Sequence, residues 1–445
     1  MKLEFLNLMK CPYCGSDFAV GDIYQEKEGE VISGFVRCEC SEFVIVEGIL
    51  NLKIGHLNNY LIKFLKEAKP KEAVRLSLGY YAEDICRIAN FLESRGLFGQ
   101  ALGKILLGLV KARQERAYRK YLDKNLSLYN LLGYTSFETY LKHRFSADTF
   151  WSLYPFIPIM KENKERILDL GCGGGHASFV ISTYIEPKQL VCADSIFSNL
   201  YLAKKYSAKG AEFICLDANY PLPFKDGTFT LVFMLDVFHY VPGRASLASE
   251  MERVILPHGL LLLLHLHNSL NHNPATGNPL SPSGWVNLFQ QLPVKVLPER
   301  NLIEDFILRN RLDIAKEYTD VELNYSNALY LVGTKDRSLF RVYEEVAAAF
   351  LSNKSHLIIN PIYRIKRKRD KLILQRKFPS RSFGEEYPLT ERYLPEEHTI
   401  EGKLLQIVEG SSLNLASTEV SEKDLLHIED LMRKFIVINV PKDYY

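Results

Sequence analysis

The stretch Ile167-Leu168-Asp169-Leu170-Gly171-Cys172-Gly173-Gly174-Gly175-His176 decides how the rest of the chain is read. Residues of buried-strand character run into glycines at alternate positions, and a helix-forming segment follows. Glycine there lets the backbone turn tightly and approach a ligand where a Cβ would collide. The helix start then presents free N–H groups to an anion. Downstream, Asp194-Ser195 closes a second apolar run, Leu190 to Ala193, where a carboxylate can accept the hydroxyls of a ribose. The dinucleotide pattern G-x-G-x-x-G would need glycine at 176, and histidine stands there.

Outward from this stretch, apolar runs alternate with helical segments: Glu212–Cys215, Leu231–Met234, Leu260–Leu266 and Ala328–Gly333. That rhythm predicts an α/β fold with a parallel sheet and crossover helices. Four units are expected: a β-rich unit at 1–54, a helical segment at 55–150, the α/β domain at 151–336, and an α+β tail at 337–445. In the helical segment Leu102, Ile105, Leu106, Leu109 and Val110 recur at helical steps and predict one apolar face. In the tail a hairpin is expected over Tyr363–Lys377, helices near 399–409 and 421–434, and a strand at Ile436–Val440; this suggests a winged-helix-like unit.

The spacing D-x-G-x-G-x-G over Asp169–Gly175 resembles that of class I S-adenosylmethionine-dependent methyltransferases. Asp217-Ala218, the block Pro221–Phe229 and the run Asp236-Val-Phe-His239-Tyr-Val-Pro242 resemble the small-molecule-type methyltransferase domain, with Thr230 where that family usually carries aspartate. The resemblance implies a doubly wound, seven-stranded, Rossmann-like sheet that binds S-adenosylmethionine. It assigns the cofactor to Asp169, Gly171, Cys172, Gly173, Gly175, Asp194, Ser195, Asp217, Ala218 and Asp236.

Methyl transfer is a displacement at an already electrophilic sulfonium carbon, so alignment of the acceptor supplies much of the rate. A base is needed only where the acceptor must lose a proton. Residues beyond the carboxyl ends of the strands are the candidates: Asp236, His239, His265 and His267. His265 and His267 alternate along a strand and share a face. With His272 they form a candidate metal set, weaker than the reading as pocket histidines. The turn-rich loop Asn273–Trp285 is a candidate lid or acceptor rim.

Eight cysteines divide into two groups. Cys11-Pro-Tyr-Cys14-Gly and Cys38-Glu-Cys40 bring four thiolates into the first forty residues, a closed set for structural zinc. The other four are scattered through regular segments, which fits a reducing, cytoplasmic setting rather than a disulfide scaffold. The segment from Phe5 to Leu52 resembles the small zinc-ribbon protein that partners and activates several tRNA and protein methyltransferases, and implies such a module fused to its catalytic domain.

No run is long and apolar enough to span a bilayer, and no secretory signal is expected at the N-terminus. The formal charge of +2 leaves the partner to local patches. The cluster Arg364-Ile-Lys-Arg-Lys-Arg369 reads first as a guarded hairpin edge and second as an RNA contact. A small-molecule acceptor is therefore the leading expectation, with RNA docking through ribbon and hairpin as the alternative. A third reading is a non-catalytic cofactor-binding protein; protein partners could dock on the ribbon or the tail. The acceptor atom, O, N, C or S, is not written in the sequence.

Overall fold

The structure, a computed structural model, describes residues 1–79, 82–123, 140–273, 277–350, 355–410, 412–413, 421–442 and 444. Positions 124–139 of the expected helical segment and 274–276 of the candidate lid lie outside the described residues.

The strands of the first half are β1 (Ala19–Lys27), β2 (Glu30–Arg37), β3 (Glu42–Val46), β4 (Ile49–Asn51), β5 (Ile167–Leu170) and β6 (Leu190–Asp194). They continue as β7 (Glu212–Cys215), β8 (Phe229–Leu235), β9 (Ile255–His267), β10 (Val294–Pro298), β11 (Leu312–Asp313) and β12 (Ala328–Gly333). All but β11 join one eleven-stranded sheet in the order β1-β2-β3-β4-β7-β6-β5-β8-β9-β12-β10. The seven strands from β7 to β10 form the expected doubly wound part, parallel except for β12, which runs antiparallel to both neighbours. The expectation of seven strands thus falls short of the whole sheet. The strand Val294–Pro298 also went unread, because it mixes lysine and proline with its apolar residues.

The four added strands come from the cysteine-bearing segment. β1 to β4 form an antiparallel meander, and Ile49, Leu50 and Asn51 of β4 pair in parallel with Phe213, Ile214 and Cys215 of β7. The turn from β3 to β4 uses Glu47 (φ +53°) and Gly48 (φ +71°), the two positive dihedrals of a tight right-twisting hairpin. The outer edge, β1, is bulged and carries Asp22, Glu26 and Lys27, which blunts further pairing.

Alternate residues of each central strand enter two separate cores. Ile167, Cys192, Phe213, Phe233 and Leu262 join one; Leu168, Val191, Ile214, Val232 and Leu263 join the other. The second core takes in Met1, Phe5, Met9 and Trp285 from the chain start and the 280s. The first takes in the aromatic run Phe145–Phe156 and the tail, with Trp151 stacked on Phe435 at 4.1 Å. Thr230 sits at the entrance of β8, where its hydroxyl accepts from Arg166 N–H at 3.0 Å, a local structural job.

Four helices follow the meander: α1 (His56–Lys66), α2 (Pro70–Ser77), α3 (Ala82–Glu93) and α4 (Gly96–Asp123). On α4 the expected apolar face is turned: Leu107 is buried, Leu106 and Val110 are half-buried, and Leu102, Ile105 and Leu109 are exposed. The tail forms a three-stranded sheet from Tyr363–Arg367, Lys371–Arg376 and Glu397–Glu401, and a four-stranded one that includes Leu357–Ile359 and Val437–Asn439. The expected hairpin and the helix Glu422–Arg433 are present. Residues 397–401, partly expected as helix, pair instead with the hairpin, and a short helix begins only at Lys403.

Candidate functional site

The glycine loop lies where the chain leaves β5 and turns into the helix His176–Ser182, beside the point where strand order reverses between β5 and β8. In doubly wound sheets that crevice takes ligands. Gly171 (φ +79°) and Gly175 (φ +77°) are fixed by close packing: a Cβ would stand 2.6 Å from Val237 Cγ1 and 2.8 Å from Ala203 Cβ, respectively. Gly173 differs. Its φ of +52° also suits glycine, but no atom lies within 4 Å of an added Cβ, so the open side of the loop is here.

Asp194 reaches that loop from the end of β6. Its Oδ2 accepts from Gly173 N–H at 2.9 Å and its Oδ1 from Ile196 N–H at 2.8 Å. Burial raises its pKa while those two N–H groups oppose the rise. Asp169 is more deeply set: it accepts from Ser178 Oγ in the following helix, and burial pushes its pKa up to about 7. The Cys172 N–H is spent on Ala193 O at 3.1 Å. Ser195 is exposed, and its carbonyl accepts from Lys53 Nζ at 3.2 Å. Asp217 and Ala218 follow β7, with Asp217 Oδ1 capping Asn219 N–H at 3.0 Å. The expected cofactor residues other than Asp236 therefore lie at or near the carboxyl ends of three adjoining strands, β5, β6 and β7.

Asp236 and His265 lie at the same end of β8 and near that of β9, and both hold left-handed backbone (φ +60° and +55°). Such dihedrals in non-glycine residues cost energy and cluster where side chains are aimed for a purpose. The register slip between β9 and β12 here is a bulge, which turns the His265 ring edge-on to that of His267 at 5.4 Å. Asp236 Oδ2 meets the Arg144 guanidinium at 3.2 Å; its Oδ1 is 3.7 Å from His239 Nε2 and 3.9 Å from His267 Nε2. Glu299, at the start of the helix after β10, pairs with His265 Nδ1 at 2.9 Å. Ser152 Oγ in turn donates to Glu299 at 2.8 Å.

This network sorts the protonation states. His265 is desolvated, yet Glu299 and Asp236 overcome that and raise its pKa to about 9. Asp236, though buried, is held below the usual carboxylate range by the cations around it, His265 and Arg144 first. His239 and His267 are driven the other way by burial, to about 3 and about 4. They stack at 3.6 Å, and both ring nitrogens of His239 and the Nδ1 of His267 are buried without a protein hydrogen-bond partner. Buried polar atoms left this way mark a place for a ligand group or water.

The four candidate catalytic residues are thus together, while His272 is exposed and outside the cluster. Asp236, His265 and His267 can bring ligand atoms within 4.8 Å of one another. Metal nitrogen and oxygen ligands at about 2.1 Å stand only about 3.0–3.4 Å apart, and Arg144 and Glu299 already satisfy two of these groups. The set works better as a charge network than as a cation site. Trp285 does not form a rim: it is fully buried, against Phe238, with Nε1 donating to His267 O at 3.1 Å. Gly277 lies over His239 instead. Arg144 and Glu299 were missed by sequence reasoning; each reads as an ordinary helix charge, and only their burial, at 5% exposure, sets them apart.

At the other end, Cys11, Cys14, Cys38 and Cys40 converge with ligand sulfurs within 4.8 Å of one another. Cys38 Sγ is 3.4 Å and Cys11 Sγ 3.7 Å from Cys40 Sγ. A tetrahedral zinc at about 2.3 Å from each sulfur would set edges of about 3.8 Å. The donor set fits.

Residues 168–263 match a family described as the methyltransferase domain. Over 115 residues the chain is 30% identical to a malonyl-[acyl-carrier protein] O-methyltransferase of Legionella pneumophila, covering 26% of this chain and 40% of that protein. Over 122 residues it is 30% identical to a demethylmenaquinone methyltransferase of Thermotoga maritima, covering 27% of this chain and 52% of the relative. A solved S-adenosylmethionine-dependent methyltransferase of Aquifex aeolicus aligns with 41% of this chain and 90% of its own, at 16% identity and a TM-score of 0.30. The chain spans about half or less of the length of these two curated relatives.

Proposed function

We propose that the chain, whose residues 168–263 match a methyltransferase domain, transfers a methyl group from S-adenosylmethionine to a small-molecule or biosynthetic-intermediate acceptor. The observation that carries this reading is the Gly173–Asp194 pair: a glycine whose α-carbon faces open space and the carboxylate that holds its N–H, at the ends of adjoining parallel strands beside the switch in strand order. The relatives' names support the acceptor class, since one is named for malonyl-[acyl-carrier protein] and another for demethylmenaquinone.

The cofactor, when bound, supplies an electrophilic methyl on a sulfonium. Asp194 takes the ribose hydroxyls and holds the loop at Gly173, while Asp217 and Ala218 border the base. At the acceptor end Asp236, kept ionised by Arg144 and His265, accepts a hydrogen bond from the nucleophile and orients it. The charged His265 is held in place by Glu299, and so steadies negative charge on acceptor or carboxylate. His239 and His267, kept neutral, offer ring nitrogens that hydrogen-bond the acceptor and orient it; their lowered pKa values make them hydrogen-bonding partners rather than strong bases. The four cysteines hold a structural zinc that ties the turn at Cys11 to the end of β2.

Binding of S-adenosylhomocysteine by calorimetry tests the reading. Asp194→Ala should weaken it by about 10- to 100-fold, the loss of charge-assisted hydrogen bonds; unchanged affinity sinks the ribose assignment. Incubation with labelled cofactor and fractionated extract then tells the acceptor class, because label in RNA rather than small molecules would overturn it.

A further inference from the structure

Helix α4 carries apolar residues on two sides. Leu107 points inward, where α4 packs on α2 and α3. On the outer side Leu97, Phe98, Leu102, Ile105 and Leu109 stand in solvent, with Leu97 86% and Phe98 85% exposed. The neighbouring α3 adds Ile88 and Phe91, and the Arg95 guanidinium lies 4.6 Å over the Phe91 ring. Scattered exposed hydrophobics are ordinary, but this many on one helical hairpin mark a contact surface.

The charge around the patch says what kind of surface it meets. Between residues 95 and 116 Arg95, Lys104, Arg113 and Arg116 stand against a single acid, Glu115, which is ion-paired with Arg75, while Lys111 turns inward over the Phe64 ring at 4.2 Å. On α3 Asp84 is paired with Arg87, and Glu83 accepts from His56 and Leu57 N–H. A second copy of this face would bring like charges together across the symmetry axis. Nucleic acid would satisfy the cations and leave Leu97 and Phe98 with nothing to enter. An anionic bilayer satisfies both. At 28 residues α4 is long enough to cross one, but no helix among the described residues is apolar enough to do so. On such a surface the exposed aromatic and aliphatic side chains can enter the acyl boundary while the basic ones meet the phosphates.

We propose that the outer face of the α3–α4 hairpin docks on an anionic lipid surface. The contact goes beyond the catalytic reading and does not depend on it, since none of these residues belongs to the methyl-transfer site.

Flotation of the full chain with phosphatidylcholine vesicles, with and without phosphatidylglycerol, tests it. The expected result is retention on the anionic vesicles, weakened by salt, and reduced about tenfold or more by Phe98→Glu with Ile105→Glu. Both positions are exposed, so the variant should keep its melting temperature and its affinity for S-adenosylhomocysteine. Separately, Lys104→Glu with Arg116→Glu should abolish the preference for phosphatidylglycerol. Absence of binding to anionic vesicles overturns the proposal, as does binding that the apolar variant leaves intact. So does a dimer in light scattering that the same variant converts to monomer, because the face would then belong to a second copy.

Discussion

His176 carries the clearest single-residue consequence. It is the position that excludes the dinucleotide pattern, and in the fold its Nε2 lies 2.6 Å from the oxygen of the Tyr444 hydroxyl, whose one proton goes to Leu141 O at 2.6 Å. Burial first, and then Arg144, lowers its pKa to about 3, whereas an unfolded chain would have it near 6.5. The imidazole is therefore neutral when folded, and between pH 6.5 and about 3 the unfolded chain binds the extra proton. That part of the stability is fully present above pH 6.5 and is lost as the pH falls through this window. His176→Gln should flatten the stability–pH slope there by about one proton, about 1.4 kcal/mol per pH unit. Chemical denaturation at several pH values reads it, and an unchanged slope would place the titration elsewhere. The glycine spacing that frames His176 was legible because each position answers to a backbone demand. Arg144 and Glu299 were not, since a charge in a helical stretch looks the same whether it meets water or a buried partner.

Among elements, α4 shows the same limit at greater length. Its periodicity announces a helix, but periodicity cannot tell which of two apolar faces turns inward. Truncation separates them: Leu107→Ala should cost about 2–4 kcal/mol of stability, and Leu109→Ala less than about 0.5 kcal/mol. Equal losses in urea denaturation would mean that the outer face is packed as well. The central strands were easier, because a buried parallel strand is a short continuous apolar run and five of them stand in sequence. β10 broke that rule and was missed. The bulge at His265 was also invisible, since alternation along a strand presumes an unbroken register.

The whole molecule departs most from expectation where the ribbon meets the sheet. Its cysteines, turns and strands could be read one by one, but nothing in residues 49–51 names Phe213, Ile214 and Cys215 as their partners. Because the strands are continuous, the four-cysteine cluster and the proposed cofactor crevice share one backbone ladder. If the proposed zinc is bound, stripping it with a chelator should lower the melting temperature of the entire sheet and weaken S-adenosylhomocysteine binding with it. Two separate calorimetric transitions, the later one unmoved, would show that the ribbon stands alone. The join at β4 also bears on how the chain comes to be made. β4 is synthesised about 160 residues before β7, so at ordinary elongation rates its open edge waits for roughly 10–30 s. Through that interval the meander holds an unpaired ladder, and closing it demands a long loop. A nascent chain of this design is most vulnerable to mispairing early, and a zinc ion that orders the ribbon at once would shorten the list of wrong partners it can take.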